Sequence, residues 1–228
     1  NIYRYEDILD SRSSMTQVII KELEDFKKEY GRARRTAIEN AAEAVYEEKK
    51  MEEMDVYVLI DRFGYVRCVD TATFERNKEN LIADNRYAFI CKNTGKICIF
   101  TDKGNLYTIK VTDVPFGKLK DKGVPIDDVS AYASAQERIL CAASQSELNL
   151  YRLIFVTKFA MVKVVDGGEF DVSKRQVAAT KLADDDALVS VEVLKEQRNI
   201  VMISSDGFYL RFPLEEIPEK KKAAIGVR

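Results

Sequence analysis

The 228-residue chain has no histidine and no tryptophan. Without histidine there is no Ser-His-Asp triad, no imidazole general base and no His-ligated metal site. Its four cysteines, Cys68, Cys91, Cys98 and Cys141, form no C-x-x-C pair. Zinc and a disulfide framework are therefore not expected, and buried reduced thiols are. No apolar run approaches the ~18 residues of a membrane span, and no charged-apolar-small leader opens the chain. A soluble, cytoplasmic protein with no membrane partner is the expectation. The phosphate-cradling patterns G-x-x-x-x-G-K-[ST] and G-x-G-x-x-G are missing, as is a nucleophile elbow, so no nucleotide site is expected. Asp127-Asp128 and Asp184-Asp185-Asp186 lack the spacing of a calcium loop and read as exposed turn acids. No metal ligand or nucleotide site is expected.

Apolar residues make up 46% of the chain, a globular composition. Met15, Ile19, Leu23, Phe26 and Tyr30 recur at helical spacing between a capping Ser13 or Ser14 and Gly31. They predict an amphipathic helix whose narrow apolar stripe needs a partner. Ile38 to Met54, rich in Ala and Glu, predicts a continuation. From residue 55 the period changes to two. Four hairpins follow: 56–60 with 65–69, 97–100 with 106–109, 153–156 with 161–164, and 200–203 with 208–212. Their turns centre on Gly64, Gly104, Ala160 and Gly207. Asp206-Gly207 supplies the positive φ of a tight turn, Asp61 to Gly64 and Asp102 to Gly104 read as looser versions, and Ala160 predicts a turn built differently. Ten residues after each turn stands Phe74, Val114, Phe170 or Ile217. Short strands repeating every ~40–50 residues indicate blades or an array, and the long second interval predicts an inserted loop over Gln136 to Asn149. The boundaries expected are 1–55 for the helical segment and 56–228 for a mainly β domain.

A basic connection follows each hairpin. These runs are Arg76 and Lys78; Lys118, Lys120 and Lys122; Lys174, Arg175 and Lys181; and Lys220, Lys221, Lys222 and Arg228. The net charge of −2 argues weakly against a nucleic-acid partner. Cations at one repeated position argue the other way, since equivalent loops of a blade array lie on one rim and form a belt that suits a regularly charged polyanion. These twelve residues are the candidate polyanion-binding set, which the resemblance described next makes the candidate DNA-binding set. A protein-interaction scaffold is the alternative, requiring an exposed apolar patch. A propeller enzyme would need carboxylates converging on a funnel, which the scattered acids do not suggest.

The order of these features resembles the C-terminal region of the A subunit of bacterial type IIA DNA topoisomerases, gyrase and topoisomerase IV, over nearly the whole chain. The helix running into Gly31-Arg32-Ala33-Arg34-Arg35-Thr36-Ala37-Ile38 is similar to the end of the family's coiled-coil stalk. The hairpins resemble blades of its β-pinwheel, and Ala223-Ala224-Ile225-Gly226-Val227-Arg228 its Gly-Val-Arg element. Arg4-Tyr5 is similar to the pair at the family's catalytic tyrosine, but its neighbours differ, so a structural role is expected. The resemblance implies a non-catalytic domain that binds and bends duplex DNA for strand passage. It places ATP and Mg on other domains, and makes the B subunit and a second A subunit partners beside the bacterial nucleoid. Thr73-Phe74-Glu75-Arg76-Asn77-Lys78-Glu79-Asn80 stands where gyrases carry a glycine-rich basic box, which favours a topoisomerase IV-like or divergent gyrase subunit. Six blades would need roughly 240–270 residues, and the 173 after residue 55 lead us to expect either an incomplete pinwheel or a smaller one.

Overall fold

A computed structural model describes residues 2–36, 52–196 and 199–228. Two compact units are present, Asn1–Lys49 and Lys50–Arg228. In the first, α1 (Ile2–Asp10) and α2 (Arg12–Tyr30) meet at Ser11. Ser11 Oγ, rather than Ser13 or Ser14, caps α2 by accepting the Ser14 N–H at 3.3 Å. Arg4 and Tyr5 lie within α1. The stripe from Met15 to Tyr30 is exposed along its length. The continuation expected over 38–54 falls mainly on residues outside those described; 52–54 are not helical.

The second unit is built from β1 (Asp55–Asp61), β2 (Tyr65–Asp70), α3 (Thr71–Arg76), α4 (Lys78–Asp84), β3 (Asn85–Lys92), β4 (Lys96–Thr101), β5 (Asn105–Lys110), β6 (Val124–Pro125), α5 (Ile126–Val129), β7 (Ile139–Ser144), α6 (Gln145–Leu148), β8 (Arg152–Thr157), β9 (Val162–Asp166), β10 (Gln176–Ala178), β11 (Leu188–Leu194), β12 (Asn199–Ile203) and β13 (Tyr209–Pro213). Each expected hairpin forms: β1–β2, β4–β5, β8–β9 and β12–β13.

All four turns share one construction. The N–H of Gly64, Gly104, Ala160 and Gly207 donates to the carbonyl of Asp61, Thr101, Thr157 and Ser204, three residues earlier. φ is +85°, +77°, +60° and +83° in that order. Ala160 therefore makes the same turn as its glycine counterparts and carries the left-handed strain that glycine avoids. Asp61, Thr157 and Ser204 each also accept, through a side-chain oxygen, the N–H four residues on.

Two further strands complete each of the first two sheets, and one joins the third. β3, β7 and β11 pair antiparallel with the first strand of their own hairpin, with a register shift at the turn end each time. Gln136 to Asn149 is thus no inserted loop: β7 lies inside it and pairs with β4. The long second interval comes instead from the connection between β5 and β7. The outer edge is filled from the next repeat. β6, which follows the second hairpin, pairs with β2 of the first sheet; β10, which follows the third, pairs with β5 of the second. Glu219 and Val227, which follow the fourth, bridge to Val164 and Val162 of β9.

Strand alternation explains the cores. Val58, Ile60, Val66 and Cys68 face Ile97, Ile99 and Ile109 between the first and second sheets. Cys98, Phe100 and Leu106 face Leu153, Phe155 and Phe170 between the second and third. There Phe100 packs edge-on against both other rings, at 5.8 and 5.1 Å. Ile154, Val162 and Val164 meet Ile200, Met202 and Phe212. Phe74, Val114, Phe170 and Ile217 are all buried, one beyond the end of each hairpin. The outer face of the first sheet has no preceding sheet among the described residues. There α3 and α4 deliver Phe74 and Leu81 onto Leu59 and Val69.

Candidate nucleic-acid interface

The outer strands carry the basic connections. Gly117 N–H donates to Cys68 O, and Cys68 N–H to Pro115 O. The arrangement recurs on the third sheet, where Lys220 N–H donates to Val164 O and Val164 N–H to Pro218 O. Cys68 and Val164 both stand four residues after their turn. So does Thr108, whose N–H donates to Arg175 O at 2.9 Å and whose hydroxyl donates to Lys174 O at 2.9 Å. The backbones of three basic runs are thereby pinned to matching places on the outer edges of three sheets. Gly123 and Gly226 allow this close approach: a Cβ on Gly123 would fall 2.3 Å from Val66 O, and one on Gly226 2.7 Å from Val162 O.

The side chains differ in how free they are. Lys118, Lys120, Lys174 and Arg175 are exposed and make no ion pair among the described residues. Lys122 lies with its Nζ 4.2 Å over the Tyr65 ring. Lys221 pairs with Glu169 at 2.8 Å while its side chain stays 87% exposed. Lys222 donates its N–H to Glu169 Oε2 and its Nζ to Glu169 O. Lys220 is half-buried, and Arg228 is exposed beside Val227.

Three candidates are placed elsewhere. Arg76 and Lys78 sit on the covering helices, Arg76 donating to Ala72 O and Lys78 meeting Glu75 at 3.9 Å. Their run has no earlier sheet to join among the described residues, and it forms a helical cover instead. Lys181 lies at the turn end of the second sheet, next to Thr180, whose N–H donates to Gly104 O.

Two cations that read as ordinary strand residues in the sequence lie beneath these loops. Lys163 on β9 is 1% exposed. Its Nζ donates to Lys222 O and Ala224 O at 2.8 Å and to Lys221 O at 3.4 Å, with the Phe155 ring 5.4 Å away. Burial pulls its pKa down to about 8; Glu169 opposes the shift and Lys220 adds to it. Glu169 is held below the usual carboxylate range, first by its bond from Lys221 and then by the Lys222 N–H. Arg67 occupies the same register on β2. A charge at a position facing the core, three residues past a turn, was the available signal for both.

The acids organise loops. Glu137 accepts from Thr101 Oγ1, Asn105 Nδ2 and Tyr107 OH. Asp186, expected to be an exposed turn acid, is half-buried and accepts the N–H groups of Phe159 and Ala187. Asp127 accepts the N–H and hydroxyl of Ser134. The four thiols are buried, and burial pushes Cys68, Cys98 and Cys141 up to about 12 and Cys91 to about 11, far from a reactive thiolate. Among the described residues no His/Cys/Asp/Glu cluster could hold a metal.

Comparison with known proteins agrees with this architecture. The family model described as DNA gyrase C-terminal domain, beta-propeller matches residues 95–131, 151–195 and 198–228. Each stretch contains one hairpin and the connection after it; the helix-covered first hairpin lies outside. The DNA gyrase A subunit of Metamycoplasma arthritidis is 24% identical over 99% of this chain and 27% of its own length. The DNA topoisomerase 4 A subunit of Streptococcus pneumoniae is 26% identical over 97% of this chain and 28% of its own. The chain thus spans less than a third of these relatives. Among solved structures, the C-terminal domain of DNA topoisomerase IV superposes with TM-score 0.69 at 22% identity, covering 78% of this chain and 57% of that one. The E. coli ParC C-terminal domain gives 0.60 at 16%, covering 74% and 69%. The chain belongs to the C-terminal regions of the A subunits of DNA gyrase and topoisomerase IV, and its fold is their mainly β pinwheel preceded by a helical segment.

Proposed function

We propose that residues 56–228 bind duplex DNA along the outer edges of the sheets, without catalysis of their own, and bend it for strand passage by a type IIA topoisomerase. The parent enzyme, in this reading, uses ATP and Mg on other domains, joins a B subunit and a second A subunit, and works in the bacterial cytoplasm. The observation that supports the reading is the repeated pinning of basic connections at Cys68, Thr108 and Val164. Their cations neutralise phosphates and release counterions without reading bases. Smoothly bending a 20–30 base-pair site by 40–90° costs on the order of 1–6 kcal/mol. Cations spaced along an edge offset that cost better than one cluster, which grips the duplex at a single place.

The test is a duplex titration at several salt concentrations. Changing Lys118, Lys120 and Lys122 together to Glu lowers affinity and flattens the salt dependence, by about 0.9 in slope for each phosphate no longer neutralised. Unchanged affinity and slope would remove this loop from the surface. Interaction-scaffold behaviour remains a second reading because the β12–β13 sheet exposes Val201, Ile203 and Tyr209. It predicts no salt-dependent affinity for duplex DNA.

A further inference from the structure

Arg67 stands three residues after Gly64, opposite Leu59. It is only 9% exposed, and its Nε is sealed from solvent with no hydrogen-bond partner. No hydrogen bond or ion pair among the described residues reaches its guanidinium. Only Nε is sealed, so the two terminal nitrogens reach solvent and the fork is open to a ligand; a largely desolvated cation with no counter-charge gains from an anion placed there.

The third sheet shows what a satisfied cation looks like at this register. Lys163, three residues after Ala160 and opposite Phe155, spends its ammonium on three carbonyls of the loop above it. The corresponding loop over Arg67 offers no such bond. It closes on itself instead: Asp121 N–H donates to Lys118 O at 3.0 Å, and Lys118 N–H donates to Asp121 Oδ2 at 2.7 Å. The one acid of the loop is therefore committed to a backbone N–H. The loop still lies directly on Arg67, since a Cβ on Gly123 would come 3.0 Å from Arg67 Cβ. It brings Lys118, Lys120 and Lys122 with it.

We infer that Arg67 is the base of a phosphate-binding site, receiving oxygens of a phosphodiester beneath the loop 117–123. The guanidinium fork matches two phosphate oxygens at once, whereas an ammonium presents a point charge. The three lysines supply the surrounding positive field. The phosphodiester source rests on the duplex reading above; the anion site itself does not.

The full chain is compared with Arg67→Met and Arg67→Lys. Lysine is the residue that the third sheet carries at this register, so the second variant retains a fold even if the first does not. Inorganic phosphate raises the melting temperature of the unaltered chain, and both variants lose that response. Duplex affinity falls about tenfold in Arg67→Met, and the salt slope drops by about 0.9. Loss of the phosphate response with unchanged duplex affinity would assign the site to a free phosphate group instead. Variants matching the unaltered chain in both measurements would overturn the site. Should the unaltered chain bind no duplex, the DNA reading fails, and the phosphate response still decides the role of Arg67.

Discussion

Replacing Lys163 separates the holding of a loop from the packing of a sheet. Two of its bonds, to Lys222 O and Ala224 O, are 2.8 Å long. A hydrogen bond from a charged donor contributes about 1.5–3 kcal/mol net, so this pair contributes about 3–6 kcal/mol to fixing the loop. Desolvation works against it. A pKa lowered from 10.5 to about 8 means that the pocket holds the proton less tightly than water does. Burial, with the Lys220 charge, therefore outweighs the carbonyls and Glu169 together. Lys163→Met removes the bonds and the penalty at once while filling similar space, and exchanges of this kind are often close to neutral overall. We expect the unfolding free energy from urea titration to change by less than about 1 kcal/mol, while amide exchange at Lys220 and Val227, whose N–H groups bond Val164 O and Val162 O, accelerates at least about tenfold. A pH series adds a second readout. Below about 8, Lys163 is protonated whether folded or unfolded, and its contribution is flat. Between about 8 and 10.5 the unfolded chain binds the extra proton, so this group makes stability rise with pH. The Met variant lacks that rise. A stability loss beyond about 3 kcal/mol with unchanged exchange at Lys220 and Val227 would refute the loop-holding role.

Gly123→Ala places a Cβ 2.3 Å from Val66 O at a φ of +83°, so we expect a loss of about 3 kcal/mol or more in chemical denaturation. Gly207→Ala has the same φ and open space, and costs only about 1 kcal/mol; equal losses would show that the approach of β6 to β2 is not what requires glycine. Ala160→Gly relieves about 1–2 kcal/mol of left-handed strain and gives back about 0.4–1 in unfolded-chain entropy, for a net gain near 0.5–1 kcal/mol in the same measurement. Glu169→Gln frees Lys221 and loosens its loop, which amide exchange at Lys222 reports. Because the folded-state carboxyl pKa is lowered, the support given by Glu169 is present above the unfolded value of 4.5 and fades as pH falls through the folded one, a dependence the Gln variant lacks.

The hairpins were legible because their signals are local: two-residue alternation on both sides of a Gly or Asp-Gly turn. The buried residue ten positions after each turn was legible for the same reason, since every repeat keeps the same offset. What sequence alone did not show was non-local. β7, with its small residues Ala142 and Ala143, has no alternation to announce a strand, and only pairing with β4 makes it one. β6 is two residues long and exists because Gly123 lets it approach Val66. The run at Arg76 and Lys78 resembles the other basic runs in composition, but no described sheet precedes the first hairpin to receive it. Ala160 misled because residue type suggested a different turn, while the repeated hydrogen bond imposed the same one. Of the candidate cations, those on outer edges were found through their spacing. Lys163 and Arg67 were overlooked because each is a lone charge inside an apolar strand, and its meaning depends on which loop crosses above it.

Strand exchange also decides where the charges stand. Each of the last three basic loops belongs to one hairpin yet is bonded to the sheet before it, so two neighbouring sheets determine its position. The loop after the third hairpin runs seven residues from Phe170 to Val177; the loops after the second and fourth run ten, from Val114 to Val124 and from Ile217 to Val227. All three nevertheless reach the residue two places after the preceding turn, at Leu106, Val66 and Val162 respectively. Loop length can therefore vary without moving the cations out of step with the sheets. On the proposed duplex reading, a stiff double helix lying along such an edge would meet positive charge at intervals set by sheet stacking, and the individual loops would alter how strongly each interval holds it.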